Sequence, residues 1–162
     1  MDTVRLCGYV PGAIGRIAEL HASYYSEHWQ FGLFFEAKVA KELSQFLSCI
    51  DDTRDGFWIA VTDGRIVGAI AIVGSHEDTK EARLRWFIVD QEYQGFGIGN
   101  MLMKEAIEFC RRVGFRRVYL TTFVGLDPAR HLYEKWGFTL CEETEDNTWG
   151  VTVKEQFFQL TL

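Results

Sequence analysis

The chain has 162 residues, 48% hydrophobic and 25% charged, which is the make-up of a soluble globular protein long enough to bury a real core. Seventeen lysines and arginines against 23 aspartates and glutamates give a net charge of −6, which argues against a nucleic-acid-binding surface and leans toward a cationic or small neutral-amine ligand. No apolar run approaches a membrane span and no signal-peptide pattern opens the chain, so one cytoplasmic domain over residues 1–162 is expected, with Cys7, Cys49, Cys110 and Cys141 as reduced, small core residues.

In chain order, Val4 to Val10 reads as a strand turned by Pro11-Gly12. Pro11 suits a first helical turn, and Ile14, Ile17, Ala18 and His21 mark one helical face. A dense aromatic and polar cluster follows: Tyr24, Tyr25, Glu27, His28, Trp29 and Phe31, which either packs a core corner or lines a pocket. A second helix is expected from Phe34 to about Ile50, with Phe35, Val39, Leu43, Phe46 and Leu47 on one face. Phe57 to Val61 and Ile66 to Val73 are β-rich runs joined by Asp63-Gly64, a strong hairpin turn. A polar turn over Ser75 to Lys80 leads to a strand from about Ala82 to Val89. Strict alternation puts Arg83, Arg85, Phe87 and Val89 on one face of it. Ile98, Leu102, Ala106, Phe109 and Val113 then recur at helical steps until Gly114. Arg116 to Thr121 reads as a strand, Asp127-Pro128 opens a short helix that Gly137 ends, and the last two strands start at Phe138 and within Trp149 to Leu160. The order is β-α-α-β-β-β-α-β-α-β-β, an α/β (α+β) chain with a mixed, mostly antiparallel sheet flanked by helices.

Between the fourth strand and the third helix lie Gln94, Gly95, Phe96, Gly97, Ile98, Gly99 and Asn100. Glycines let backbone approach a ligand, and the free N–H groups of a helix's first turn attract phosphate. A dinucleotide G-x-G-x-x-G fingerprint fails, because Asn100 or Leu102 stands where its last glycine belongs. A P-loop fails for want of its glycine-lysine ending. Gln94-x-x-Gly97-x-Gly99 instead resembles the Q/R-x-x-G-x-G/A signature of GNAT-family N-acetyltransferases; an ordinary glycine-rich turn is the other reading of the motif alone. A second stretch agrees: Ala129, Leu132, Tyr133, Lys135, Gly137 and Phe138 are similar to the family's A-x-x-L-Y-x-K-x-G-F signature. His21, Tyr25, Glu27, Trp29, Phe35-Glu36, Val39-Ala40 and Leu84-Arg85 further resemble GNAT domains often fused behind a MarR-type DNA-binding domain. No helix-turn-helix module precedes them here, so no nucleic-acid partner is expected.

The resemblance implies transfer of an acetyl group from acetyl-CoA to a primary amine by direct attack. It assigns Ile88 and Val89 to the pantetheine and acetyl carbonyl, residues Gln94 through Asn100 to the pyrophosphate, and Asp127, Ala129 and Lys135 to further donor contacts. Where many relatives carry an asparagine for the pantetheine, this chain has Leu126, with Asp127 next to it as a helix cap. Tyr133 is the expected general acid, a packed core tyrosine being the other reading. For the amine, Glu27 ranks above Glu81 as base, with a water relay equally open, and Tyr25, Glu27, Trp29 and Arg85 form the expected substrate wall. Arg85 either pairs with a protein carboxylate such as Glu27 or Glu36 or grips a substrate carboxylate, which would make the acceptor an amino acid or short peptide. A non-catalytic acyl-CoA-binding module and a longer acyl donor stay open. No histidine has metal-ligand spacing, so no metal is expected, and a homodimer is an open expectation.

Overall fold

The computed structural model describes residues 1–77 and 80–162; Asp78 and Thr79, in the expected Ser75-to-Lys80 turn, lie outside them. The elements are β1 (Arg5–Cys7), α1 (Ala13–Trp29), α2 (Leu33–Ser48), β2 (Gly56–Thr62), β3 (Arg65–Gly74), β4 (Glu81–Val89), α3 (Ile98–Val113), β5 (Arg117–Phe123), α4 (Asp127–Lys135), β6 (Thr139–Asp146) and β7 (Val153–Thr161). Their order is the one read from the sequence. Helix α1 starts at Ala13 after Gly12 as its N-cap, so Pro11 lies outside it, and it absorbs the aromatic cluster from Tyr24 to Trp29, ending where Gln30 turns left-handed at φ 57°. Asp63 and Gly64, both with positive φ, make the β2–β3 hairpin. Cys110 is buried as expected, but Cys49 and Cys141 are exposed, one at the outer end of α2 and one at an irregularity of the edge strand β6.

The strands form one sheet in the order β1-β2-β3-β4-β5-β7-β6, and only the β4–β5 pair is parallel. Each face buries a helical layer, because α1, α2 and α3 all carry apolar stripes. Leu102, Met103, Ala106 and Ile107 of α3 pack with Leu84, Val118 and Phe158 on one face. Ile17 of α1 and Phe35, Val39 and Leu43 of α2 pack with Ile59, Ala71, Trp86 and Ile88 on the other.

Strand β4 departs from simple alternation. Ala71 faces Arg85 and Ala69 faces Ile88, so one residue of β3 spans two of β4, a bulge centred on Trp86. Trp86 has φ 49°, a left-handed conformation that costs a bulky residue about 1–3 kcal/mol and persists only where packing imposes it. Phe46 of α2, at 5.4 Å between ring centres, supplies that packing. Ala82 and Leu84 belong to the α3-side core, yet past the bulge it is Phe87 and Val89 that join them, while Trp86 and Ile88 turn to the helical layer of α1 and α2. The expected face sharing of Arg83 and Arg85 with Phe87 and Val89 is therefore broken: the arginines lie on the same side as Trp86.

The sheet also opens beside the bulge. Strands β4 and β5 pair only at Glu81–Arg117, Ala82–Val118 and Arg83–Tyr119. Beyond these, β5 goes on with β7, and the β5-facing edge of β4 from Leu84 to Val89 has no strand partner. The sheet is split at its middle, and the split is lined from both sides.

Candidate active site

On the α3 side of the split lies a cleft of about 500 Å³. Its walls are Ile88 and Val89 of β4, the loop from Gln94 to Asn100, and Leu126, Pro128, Ala129, Leu132 and Tyr133 around α4. Gly95 and Gly97 hold left-handed φ of 85° and 81°, and a Cβ on either would stand in open space. These glycines thus serve the backbone path, not packing. Gly99 differs: a Cβ there would come within 3.2 Å of Leu132 and 3.3 Å of Phe87, so its role is the close seating of α3. The first bond inside α3 runs from Met101 N–H to the Gly97 carbonyl, which leaves the amides of Ile98, Gly99 and Asn100 without helical partners at the cleft. With the helix dipole behind them they form an anion seat. Gln94 donates from Nε2 to the Val89 carbonyl at 3.2 Å, and Asn100 Oδ1 accepts from Trp136 Nε1 at 3.1 Å, so both side chains tie the loop to its neighbours.

Across the split lies a smaller cavity of about 100 Å³, walled by His21 and Tyr25 of α1, Phe35, Val39 and Glu42 of α2, Arg83 to Phe87 of β4, Leu120 to Phe123 of β5, and Trp149. The two spaces share three side chains: Tyr25, Phe87 and Tyr133. Tyr133 is 6% exposed and packs against Phe87, Phe138 and Phe158 at 6.0 Å each. Burial pushes its phenol well above the ordinary range, and burial first, then the charges of Tyr133 and Tyr24, does the same to Tyr25. Both hydroxyls stay protonated at any ordinary pH and serve as donors, not bases.

His21 went unremarked as a site residue in the sequence, yet it borders this cavity. Its Nδ1 lies 2.8 Å from the Ile17 carbonyl, which places the proton on Nδ1 and leaves Nε2 as an acceptor. Burial lowers it to about 4, against a smaller opposite pull from that carbonyl. Arg85 does find a carboxylate, but the partner is Glu42 at 2.6 Å, not Glu27 or Glu36. Glu42 also takes Lys38 at 2.7 Å. Burial alone would raise the Glu42 carboxyl; the hydrogen bonds from Lys38 and Arg85 outweigh it and hold the group below its ordinary value.

The remaining expected residues divide. Ile88, Val89, Gln94, Gly95, Gly97, Ile98, Gly99, Asn100 and Ala129 border the larger cleft, and Tyr25 and Arg85 border the smaller cavity. Phe96 is 60% exposed and does not line the cleft. Asp127 is the first residue of α4, after Leu126, and is no cap. Lys135 is exposed, 3.4 Å from Asn100 Oδ1. Trp29 packs on Tyr25 at 5.4 Å and on Phe123 at 6.3 Å as the rear of the wall. Glu27 is exposed and does not line either cavity; it borders a surface hollow with Arg16 that adjoins the larger cleft at Tyr24, Ile88 and Val89, and it lacks the desolvated setting expected. Glu81 pairs with Arg117 at the closed end of the split. Among the described residues, no group of three or more His, Cys, Asp or Glu is placed to hold a metal ion, and no helix is long and apolar enough to cross a membrane.

The model of the acetyltransferase (GNAT) family matches residues 14–138. The chain belongs to the GNAT family. A relative among curated proteins is N-acetylaspartate synthetase of Danio rerio, 38% identical over 112 residues, covering 67% of this chain and 39% of that protein. The first matched curated relatives are longer, and the chain spans 30 to 60% of their lengths. Among solved structures, an acetyltransferase from Streptococcus agalactiae 2603 superposes with a TM-score of 0.77 at 18% identity over all of both chains. A putative acetyltransferase from Salmonella typhimurium, solved with its cofactor acetyl-CoA, superposes with a TM-score of 0.72 at 15% identity, over 99% of this chain and 95% of that one. Acetyl-CoA is the acyl donor of GNAT enzymes, and the residues here fit it. The cleft offers bare amides for a pyrophosphate, open space over two left-handed glycines, and an unpaired strand edge for an extended chain.

Proposed function

We propose that the chain acetylates the primary amine of a small amino acid or short peptide, with acetyl-CoA as donor. The observation that carries this reading is the meeting of the two cavities at Tyr133. Ile98 to Asn100 hold the pyrophosphate through backbone amides, and the free edge of β4 at Ile88 and Val89 positions the pantetheine and polarises the acyl carbonyl. When bound, acetyl-CoA supplies an activated acyl carbon with a thiolate leaving group. His21 Nε2 accepts a hydrogen bond from the amine and keeps its lone pair turned to that carbon; at a pKa of about 4 it orients the amine more than it takes a proton from it. A C–N bond forms, the C–S bond breaks, the amine proton leaves to water, and Tyr133 Oη gives its proton to the departing sulfur. Leu126 is buried in the wall where a pantetheine-binding asparagine would stand, so the donor is held mainly from the β4 and α3 sides.

The name N-acetylaspartate synthetase, borne by the Danio rerio relative, points to an acetylated amino acid and supports an acceptor of that class. The likeness to GNAT domains behind MarR-type modules rests on the residues of α1, α2 and β4 alone. The direct test incubates the protein with acetyl-CoA and a panel of amines, following free thiol and the mass of the product. Acceptor-dependent thiol release, with an amine heavier by one acetyl group, is expected. Tight acetyl-CoA binding with no amine acetylated would instead identify a binding module.

A further inference from the structure

Two arginines reach the smaller cavity from the same face of β4, just before the bulge, and their circumstances differ. Arg85 is satisfied: Glu42 holds it at 2.6 Å and its guanidinium lies 4.2 Å from the centre of the Trp86 ring. Arg83 has one side-chain partner among the described residues, the neutral Thr121 Oγ1, to which it donates at 3.2 Å. Its Nε is shut off from water with no acceptor, and no carboxylate of the described residues lies within 4.0 Å of it. Glu42, already held by Arg85 and Lys38, and Glu155 on β7 act on Arg83 only through space, and the Glu155 carboxyl is pushed up by burial and by a hydrogen bond shared with Asp146. Burial and the adjacent Arg85 charge press on the Arg83 guanidinium. A half-buried cation of this kind is normally matched by an anion.

The charges around the cavity point the same way. Arg83 and Arg85 against Glu42 leave one positive charge on its wall, in a chain whose net charge is −6. The overall acidity, which leans toward a cationic ligand, is thus reversed at this spot. We propose that Arg83, not Arg85, receives the carboxylate of the acceptor, and that the acceptor is a free amino acid whose amine faces Tyr133. Both Arg83 and Tyr133 border the same small cavity, which suits one amino acid better than a long polyamine. The guanidinium offers a planar fork that a carboxylate engages with two hydrogen bonds, while Glu42 keeps Arg85 drawn toward α2.

This inference rests on the acetyl-transfer reading, and a binding experiment separates the two. Isothermal titration of the protein in the presence of coenzyme A, with L-aspartate, L-alanine and ethylamine as probes, reads the acceptor site without turnover. The wild type is expected to bind at least one of the amino acids more tightly than ethylamine. Arg83→Gln should weaken that amino acid at least tenfold and leave coenzyme A and ethylamine unchanged, with Arg83→Lys in between. If Arg83→Gln does not fold, Arg83→Lys carries the test, with a severalfold loss confined to the amino acid. Equal amino-acid affinity in wild type and variant, an equal loss for ethylamine, or a wild type that does not prefer the carboxylate overturns the proposal. Carboxylate binding that depends on Arg83 without acetylation in any assay keeps the anion site and overturns the transfer reading alone.

Discussion

Backbone makes the cleft beside α3, and side chains make the cavity across Tyr133 from it. In the cleft the groups offered to a ligand are the amides of Ile98 to Asn100 and the unpaired edge of β4, with Gly95 and Gly97 clearing the way. In the cavity they are His21, Glu42, Arg83, Arg85 and Tyr25, brought in from two helices and a strand. A site built from backbone holds any chain that folds the same way to one donor. A site built from side chains can change its acceptor with a few substitutions while the sheet stays as it is. The split between β4 and β5, beside the bulge at Trp86, is what lets the two meet.

The sharpest way to break this comparison is at the point the two regions share. Tyr133→Phe should lower kcat about 10²-fold or more while leaving the acetyl-CoA dissociation constant within twofold, because it removes a proton donor from a wall that otherwise keeps its shape. Steady-state kinetics with direct titration of the donor separates these; unchanged turnover removes Tyr133 from the chemistry.

A second effect, on stability rather than rate, belongs to the side of His21. His21 titrates near 6.5 when unfolded and at about 4 when folded, so only the unfolded chain gains a proton between these values. Its contribution is fully present above pH 6.5 and is lost as pH falls toward 4, by about 3 kcal/mol in all. Denaturant melts across that window should show a shallower loss in His21→Asn than in the wild type. Parallel pH curves would mean that His21 does not stay neutral in the folded cavity.

The smallest expected effect is on the donor side. Gly97→Ala meets no neighbour but forces a Cβ onto φ 81°, so it should cost about 1–2 kcal/mol of stability. It should also weaken acetyl-CoA about tenfold, or roughly 1.4 kcal/mol, without altering relative rates among amines. A changed ranking of amines would show that the loop reaches the acceptor side and would blur the division.

The division also explains what could be read from the sequence. Gly95, Gly97 and Gly99 answer geometric demands at fixed spacing, and the apolar stripes of α2 and α3 follow helical periodicity, so the glycine loop that lines the larger cleft and the element order were legible. The bulge was not: an aromatic residue, Trp86, occupies the left-handed position where a glycine or asparagine would have announced it. Its consequence, Arg85 and Trp86 on one side, defeats any reading by alternation. Arg85 meets Glu42 from 43 positions away, and local pattern carries no such pairing. The exposure of Glu27 has a different cause. Tyr24 to Trp29 lie on one continuous helix, and two positions after Tyr25 the side chain has swung about 200° around it, out to solvent. His21 gave the signal of a polar residue on an otherwise apolar helical face and a place in the subgroup resemblance, neither of which assigned it a role.

A crystal structure with acetyl-CoA bound tests the central claim most directly. The account predicts the pyrophosphate on the amides of Ile98 to Asn100, the pantetheine along the free edge of β4, and the thioester sulfur within hydrogen-bonding reach of Tyr133 Oη, with the acetyl group facing the cavity of His21 and Arg83. A thioester that leaves the split by another route, with Tyr133 out of reach of the sulfur, would contradict it.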